Sequence, residues 1–131
     1  MTLYDSSVLI DYLDGQSAAV EYVQSQQDER AVAPPLVLFE IYQGEVFKTG
    51  AADFDAVDGA LEWLTVIEES GELARVAGEL QNELHERGGA LSARDAYIAG
   101  TAKGVDERLA VADSDFDVEG ITDILAVDFV R

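Results

Sequence analysis

Met1-Thr-Leu-Tyr-Asp5-Ser-Ser-Val-Leu-Ile-Asp-Tyr-Leu13 is the stretch on which the fold turns. Leu3-Tyr4 ends a short apolar strand, Asp5 interrupts it, and Val8 to Leu13 starts a helix that stops near Asp14-Gly15. A strand passing directly into a helix is the recurring joint of an α/β domain. Whether the chain is built that way depends on whether the joint recurs.

It does recur. Ala18 to Gln26 reads as a second helix, with Val20 and Val23 at helical spacing, and Arg30-Ala-Val-Ala33 as a second strand ended by Pro34-Pro35. Proline disfavours the helical region for the residue before it but suits the first turn of a helix, so a helix runs from Leu36 to Lys48 and closes at Gly50. Asp53 to Leu61 is another short helix, and Leu64-Thr-Val-Ile-Glu68 a β-branched third strand. Glu72 to Arg87 is the longest helix, with Leu73, Val76, Ala77, Leu80 and Leu84 on one stripe and Gly88-Gly89 as its stop. Ser92 to Lys103 is helical and rich in small residues, and Leu109-Ala-Val-Ala112 and Ile124-Leu-Ala-Val127 supply the last two strands. The alternation predicts an α/β fold with a mostly parallel five-stranded sheet.

Composition narrows the chemistry. A chain of 131 residues fits one domain over 1–131, and 48% hydrophobic residues suffice for a core, since a domain of this size buries roughly two-thirds of its unfolded surface. No run approaches the roughly 20 apolar residues of a membrane span, and no basic-then-apolar leader opens the sequence, so a cytoplasmic location is expected. Zero cysteines and one histidine, His85, leave oxygen as the ligand type for any metal, and His85 reads as a helix-surface residue. Eight Lys plus Arg against 27 Asp plus Glu give a formal charge of −19, a surface that repels nucleic acid in dilute buffer. The acids are dispersed through well-patterned sequence and only Lys48 and Lys103 are lysines, a coat like that of proteins from salt-loving organisms. At about 1 M salt the screening length is about 3 Å, which removes most of that repulsion.

Four carboxylates lie at the edge of, or within, apolar segments: Asp5, Glu40 in Leu36-Val-Leu-Phe-Glu-Ile-Tyr42, Asp95 in Ser92-Ala-Arg-Asp-Ala-Tyr-Ile-Ala99, and Asp113 in Leu109-Ala-Val-Ala-Asp-Ser-Asp-Phe116. Carboxylates gathered near a core repel one another and lose hydration, so sharing protons or holding a cation is what makes them tolerable. Asp5 and Asp113 follow strands and belong at the carboxyl edge of the sheet, where ligands collect in open parallel sheets. Glu40 and Asp95 are on helices, and their arrival at that edge is the hypothesis. Each residue also has a plain structural use. Asp5 suits a helix cap, Ser92 and Asp95 resemble a capping box, Asp113-Ser-Asp115 fits a turn, and Glu40 sits on a narrow polar strip.

Taken in order, Asp5-Ser-Ser-Val-Leu-Ile-Asp, Glu40 in a post-proline helix, Asp95-Ala-Tyr-Ile-Ala and Val111-Ala-Asp-Ser-Asp-Phe resemble the PIN-domain nucleases, in particular VapC-type toxins of toxin-antitoxin pairs. The resemblance covers essentially the whole chain. It implies a three-layer α/β/α fold, a Mg²⁺- or Mn²⁺-dependent endoribonuclease, a small antitoxin protein as inhibitor, and a homodimer. It also implies main metal-ligand roles for Asp5 and Asp95, with Glu40 and Asp113 completing the acidic pocket. The antitoxin would insert a segment, often carrying an arginine, among the acids. The chain departs from the family where a threonine commonly precedes the last motif: Val111 has no hydroxyl, although Ser6 and Ser7 keep theirs near Asp5. Asp113 is favoured over Asp115 as the fourth acid.

The chemistry suits the residues without the family name. Mg²⁺ takes oxygen ligands, often one or two carboxylates with waters and phosphate oxygens, and promotes phosphodiester hydrolysis without a histidine. Arg94 reads either as a phosphate contact or as a surface charge pair. Trp63, Phe39, Phe47 and Phe54 lack clustered Lys and Arg, and so read as core or interface rather than as a base-stacking platform. Two other classes compete. A receiver-like phosphoacceptor groups acids around Mg²⁺ but needs a lysine after a strand, which neither Lys48 nor Lys103 supplies. A catalytically silent PIN-like module that only binds a partner protein is the alternative.

Overall fold

A computed structural model describes residues 1–131. Its five strands are β1 (Thr2–Tyr4), β2 (Ala31–Ala33), β3 (Leu64–Val66), β4 (Arg108–Val111) and β5 (Val127–Phe129). Its helices are α1 (Ser6–Leu13), α2 (Ser17–Ser25), α3 (Pro35–Phe47), α4 (Phe54–Ala60), α5 (Gly71–Glu86), α6 (Ala93–Gly104) and the single turn α7 (Ile121–Ile124). A 3₁₀ turn covers Ser114–Phe116. The strands form one sheet in the order β3-β2-β1-β4-β5, and every pairing is parallel. The α/β class and the five-strand count expected from the sequence are both observed.

Parallel sheets are covered on both faces, so their strands carry apolar residues on each side instead of alternating. Leu3, Val32, Ala33, Leu109, Ala110 and Val111 are accordingly all buried. The pair α1–α2 links β1 to β2, and α3–α4 links β2 to β3. α5–α6 then carries the chain back past β1 to β4. Right-handed crossovers put the first two pairs on one face and α5–α6 on the other, giving three layers. α5 and α6 approach so closely that a Cβ at Gly100 would lie 2.2 Å from the Cα of Ala77. Gly88 ends α5 at φ 81°, a left-handed conformation that glycine adopts without penalty.

The order reverses at β1: β2 lies on one side and β4 on the other. The crevice beyond the carboxyl ends of β1 and β4 is therefore the switch point of the sheet, where loops leave in opposite directions and a ligand can enter. Asp5 follows β1 directly and its N–H donates to the Ala110 carbonyl at 3.0 Å, fixing that carboxylate at the crevice.

One expected strand is displaced. Ile124-Leu-Ala-Val127 was expected as the last strand, but Ile121–Ile124 forms α7 and β5 begins at Val127. Ile121 and Leu125, one helical turn apart, are both buried, so the apolar run feeds the core from a turn and only its end joins the sheet. The four aromatic side chains expected as core or interface divide between inside and outside. Phe39, Phe47 and Phe54 face outward, whereas Trp63 packs edge-on against Tyr4 and Tyr12 with ring centroids 5.6 and 5.4 Å away. α3 is apolar around most of its circumference, so burying Val37 and Ile41 leaves Phe39 and Phe47 outside. His85 is exposed on α5, as expected.

Candidate functional site: an acidic cleft around Arg94

Asp5 caps α1. Its Oδ2 accepts from the N–H of Ser7 at 3.1 Å and from the Ser7 hydroxyl at 2.5 Å. The same Ser7 oxygen accepts from the N–H of Ala112 at 2.9 Å, joining the ends of β1 and β4. That hydroxyl does locally what Val111 cannot, since Val111 is buried at the end of β4. Asp95 stands in the first turn of α6, where its N–H donates to the Ser92 hydroxyl at 3.2 Å. The plain structural roles of Asp5 and Ser92 are thus present, and they use neither Asp5 Oδ1 nor the Asp95 carboxylate. Asp5 is 1% exposed and Asp95 6%.

Asp5, Ser6, Ser7, Glu40, Ser92, Arg94, Asp95, Asp113 and Asp115 line one open cleft of about 440 Å³. All four acids expected at the site border it. Asp113 Oδ1 accepts from the Asp115 N–H at 2.9 Å and so caps the 3₁₀ turn, while Asp115 is exposed beside it. A larger hollow of about 680 Å³ lies at the opposite edge of the sheet. Its charged groups are largely paired with one another, as when the amino terminus meets Glu29 at 2.6 Å.

The residue that sequence reasoning undervalued is Arg94. It is not a surface pair; it enters the cleft between the acids. Its Nε donates to Glu40 Oε2 at 2.9 Å and its Nη2 to Glu40 Oε1 at 2.5 Å, a two-pronged grip that ties α6 to α3. Nη1 donates to Asp95 Oδ1 at 2.8 Å, and Nη2 also donates to the Ser6 hydroxyl at 2.8 Å. Burial pulls the guanidinium's pKa down, but the bond to Glu40, the charge of Asp5 and the bond to Asp95 outweigh it and hold the pKa above its ordinary value. The group is a permanent cation. A signal was available: a rare basic residue adjacent to an acid at the start of a helix.

Asp5 Oδ1 sits 2.8 Å from Nη2 without receiving a hydrogen bond. Both Nη2 hydrogens are directed to Glu40 and Ser6, so the contact with Asp5 is a close ion pair lying off the N–H directions. A buried carboxylate oxygen in contact with positive charge but with no donor is a costly arrangement. An all-oxygen donor set with one such orphaned atom suits a hard divalent cation. The carboxylates do not close on a common point at metal-ligand spacing. Arg94 stands between them.

The chain matches the PIN domain family over residues 2–119 and belongs to that family. Its fold is shared with solved toxin-antitoxin structures. VapBC2 from Rickettsia felis, bound to a DNA fragment from its promoter, has a TM-score of 0.80 at 16% identity, covering 99% of this chain and 98% of that one. A toxin-antitoxin complex from Klebsiella pneumoniae has a TM-score of 0.79 at 20% identity, covering 100% and 98%. FitAcB from Neisseria gonorrhoeae gives 0.74 at 22% identity, covering 97% and 96%. Comparison with curated protein sequences gives no match.

Proposed function

We propose that residues 1–131 form one catalytic unit, a divalent-metal-dependent endoribonuclease of the VapC type acting as the toxin of a toxin-antitoxin pair. The observation that carries this reading is the meeting of Asp5, Glu40 and Asp95, from three separate segments, in one cleft at the switch point of the sheet. Asp5 and Asp95 are the main ligands for Mg²⁺ or Mn²⁺, with Glu40 and Asp113 completing the set. When bound, the cation supplies neutralisation of the phosphodiester and activation of the attacking water. The protein's own part is to fix Asp5 through Ser7, to fix Asp95 through the start of α6, and to keep the cleft open to a strand of RNA.

Partners fit the same reading. The exposed Phe39, Val46, Phe47 and Phe54 give α3 and α4 an apolar surface of the kind that protein partners cover, suiting a cognate antitoxin or a second copy of the chain. No helix is long and apolar enough to cross a membrane. A cytoplasmic location and a salt-loving source complete the proposal, the latter motivated by the charge of −19.

The test is RNA cleavage in molar KCl with and without Mg²⁺ or Mn²⁺, comparing the parent with Asp5→Asn and Asp95→Asn. Metal-dependent cleavage that falls at least about 100-fold in both variants, about 2.7 kcal/mol of barrier, is expected. An inactive parent across several structured RNAs, or variants that cut equally well, would overturn the nuclease reading. The silent binding module would then take its place, a reading favoured by the occupation of all three carboxylates by Arg94.

A further inference from the structure

We infer that Arg94 is a built-in counter-cation that competes with the divalent metal for Asp5, Glu40 and Asp95, so that loading the site requires this side chain to let go. The inference rests on the nuclease reading and deepens it, assigning a resident occupant to the same cleft. Three observations support it. First, a single guanidinium contacts all three carboxylates at 2.5 to 2.8 Å, using the oxygens that face the cleft. A carboxylate oxygen aimed at a guanidinium is not equally available to a cation. Second, the fit is incomplete where a metal has most to offer: Asp5 Oδ1 is buried, charged and without a donor. Both hydrogens of Nη2, the nitrogen nearest that atom, are directed to Glu40 and Ser6, whereas a spherical cation has no such directional limit.

Third, charge accounting makes the exchange feasible. Three carboxylates and one guanidinium sum to −2, so an arriving divalent cation brings the group to neutrality if Arg94 stays nearby, rotated off the oxygens. Asp113 and Asp115 line the same cleft and offer the released guanidinium acidic company at its mouth. The investment is specific. In a chain with eight basic residues, Arg94 has a side chain only 29% exposed, while Arg75, Arg87, Arg108 and Arg131 are 43% exposed or more and pair near the surface.

The inference separates from a purely structural role, in which Arg94 merely ties α3 to α6. Mn²⁺ and Mg²⁺ binding is measured by calorimetry in molar KCl for the parent, Arg94→Met, Arg94→Lys and Asp5→Asn, with circular dichroism to establish folding. In parallel, the Nε–Hε resonance of Arg94 is followed by NMR in the parent as Mg²⁺ is added. The expected result is a dissociation constant at least about ten-fold lower for Arg94→Met than for the parent, which is about 1.4 kcal/mol. Arg94→Lys, which keeps the charge but loses the fork, is expected between them. The Arg94 resonance is expected to move and exchange faster with water at metal saturation. If Arg94→Met fails to fold, Arg94→Lys and the resonance carry the test. Equal affinities with an unmoved resonance would overturn the competition; the nuclease reading would survive if Asp5→Asn still abolished binding. Absence of metal binding in the parent and in every Arg94 variant would overturn both together.

Discussion

Asp5 divides its two oxygens between a helix cap and the cleft. Oδ2 caps α1 and accepts from Ser7, while Oδ1 faces Arg94. Asparagine caps a helix about as well as aspartate, whereas alanine loses about 1 kcal/mol. Asp5→Asn is therefore expected to abolish cleavage with little change in Tm, and Asp5→Ala to lower both; thermal melts beside activity assays distinguish the two. The fourth acid is decided in the same way. Asp113→Asn is expected to reduce cleavage at least about ten-fold and Asp115→Asn to leave it within about two-fold, and the reverse order would move the assignment to Asp115. Tyr4 gives a pH signature. Burial first, and the charge of Asp128 second, push its phenol up to about 12 from the usual 10. Between these values the unfolded chain loses its proton before the folded one does, so stability is fully present below about pH 10 and drains away as pH rises toward 12. A two-unit shift is on the order of 2 to 3 kcal/mol, and Tyr4→Phe is expected to flatten the fall in alkaline unfolding curves. All four acids were legible as isolated carboxylates in apolar surroundings. The position of Arg94 was not, because nothing local in Ser92-Ala-Arg-Asp says that α3 will bring Glu40 within reach.

At the scale of elements, legibility followed the physics of each segment. α5 announced itself through a long stripe from Leu73 to Leu84, and β1, β2 and β4 through short apolar runs beside turn residues, since buried parallel strands need little else. The end of the chain misled because an apolar run of four is compatible with either a strand or a turn whose side chains point inward. α7 is such a turn, and tertiary burial of Ile121 and Leu125 decides it. Gly100 was readable only as a small residue among others. In the structure it is where α5 and α6 touch, with no room for a methyl group against the Ala77 backbone. Gly100→Ala is expected to cost about 1 to 3 kcal/mol and lower Tm by at least about 4 °C, measured by circular dichroism. Because α6 carries both Arg94 and Asp95, the same substitution is expected to weaken metal binding as well as the fold.

At the scale of the whole molecule, a formal charge of −19 on 131 residues sets the conditions under which everything else operates. Self-repulsion among dispersed acids opposes the compact state, and salt relieves it. Tm is expected to climb as KCl rises from about 0.1 to 2 M, where the screening length falls from about 10 Å to below 3 Å; a flat or falling melt series would contradict this. RNA affinity is expected to change little, or rise, over the same range, the opposite of the usual loss of nucleic-acid binding with salt. The parallel sheet was foreseeable from alternation alone. The sidedness of the apolar surface on α3 and α4 was not, because a helix that is apolar all round does not disclose which face the core will choose.

The central place of β1 also has a consequence in time. The first strand to be synthesised takes β2 on one flank after about thirty residues, but the other flank must wait for Arg108–Val111. Asp5 and Asp113 stand far apart in the order of synthesis. At roughly 5 to 20 residues per second, on the order of 5 to 20 s pass between making one wall of the cleft and making the other. The cleft is thus incomplete through all of those seconds, and whatever it binds can engage only after β4 has joined β1.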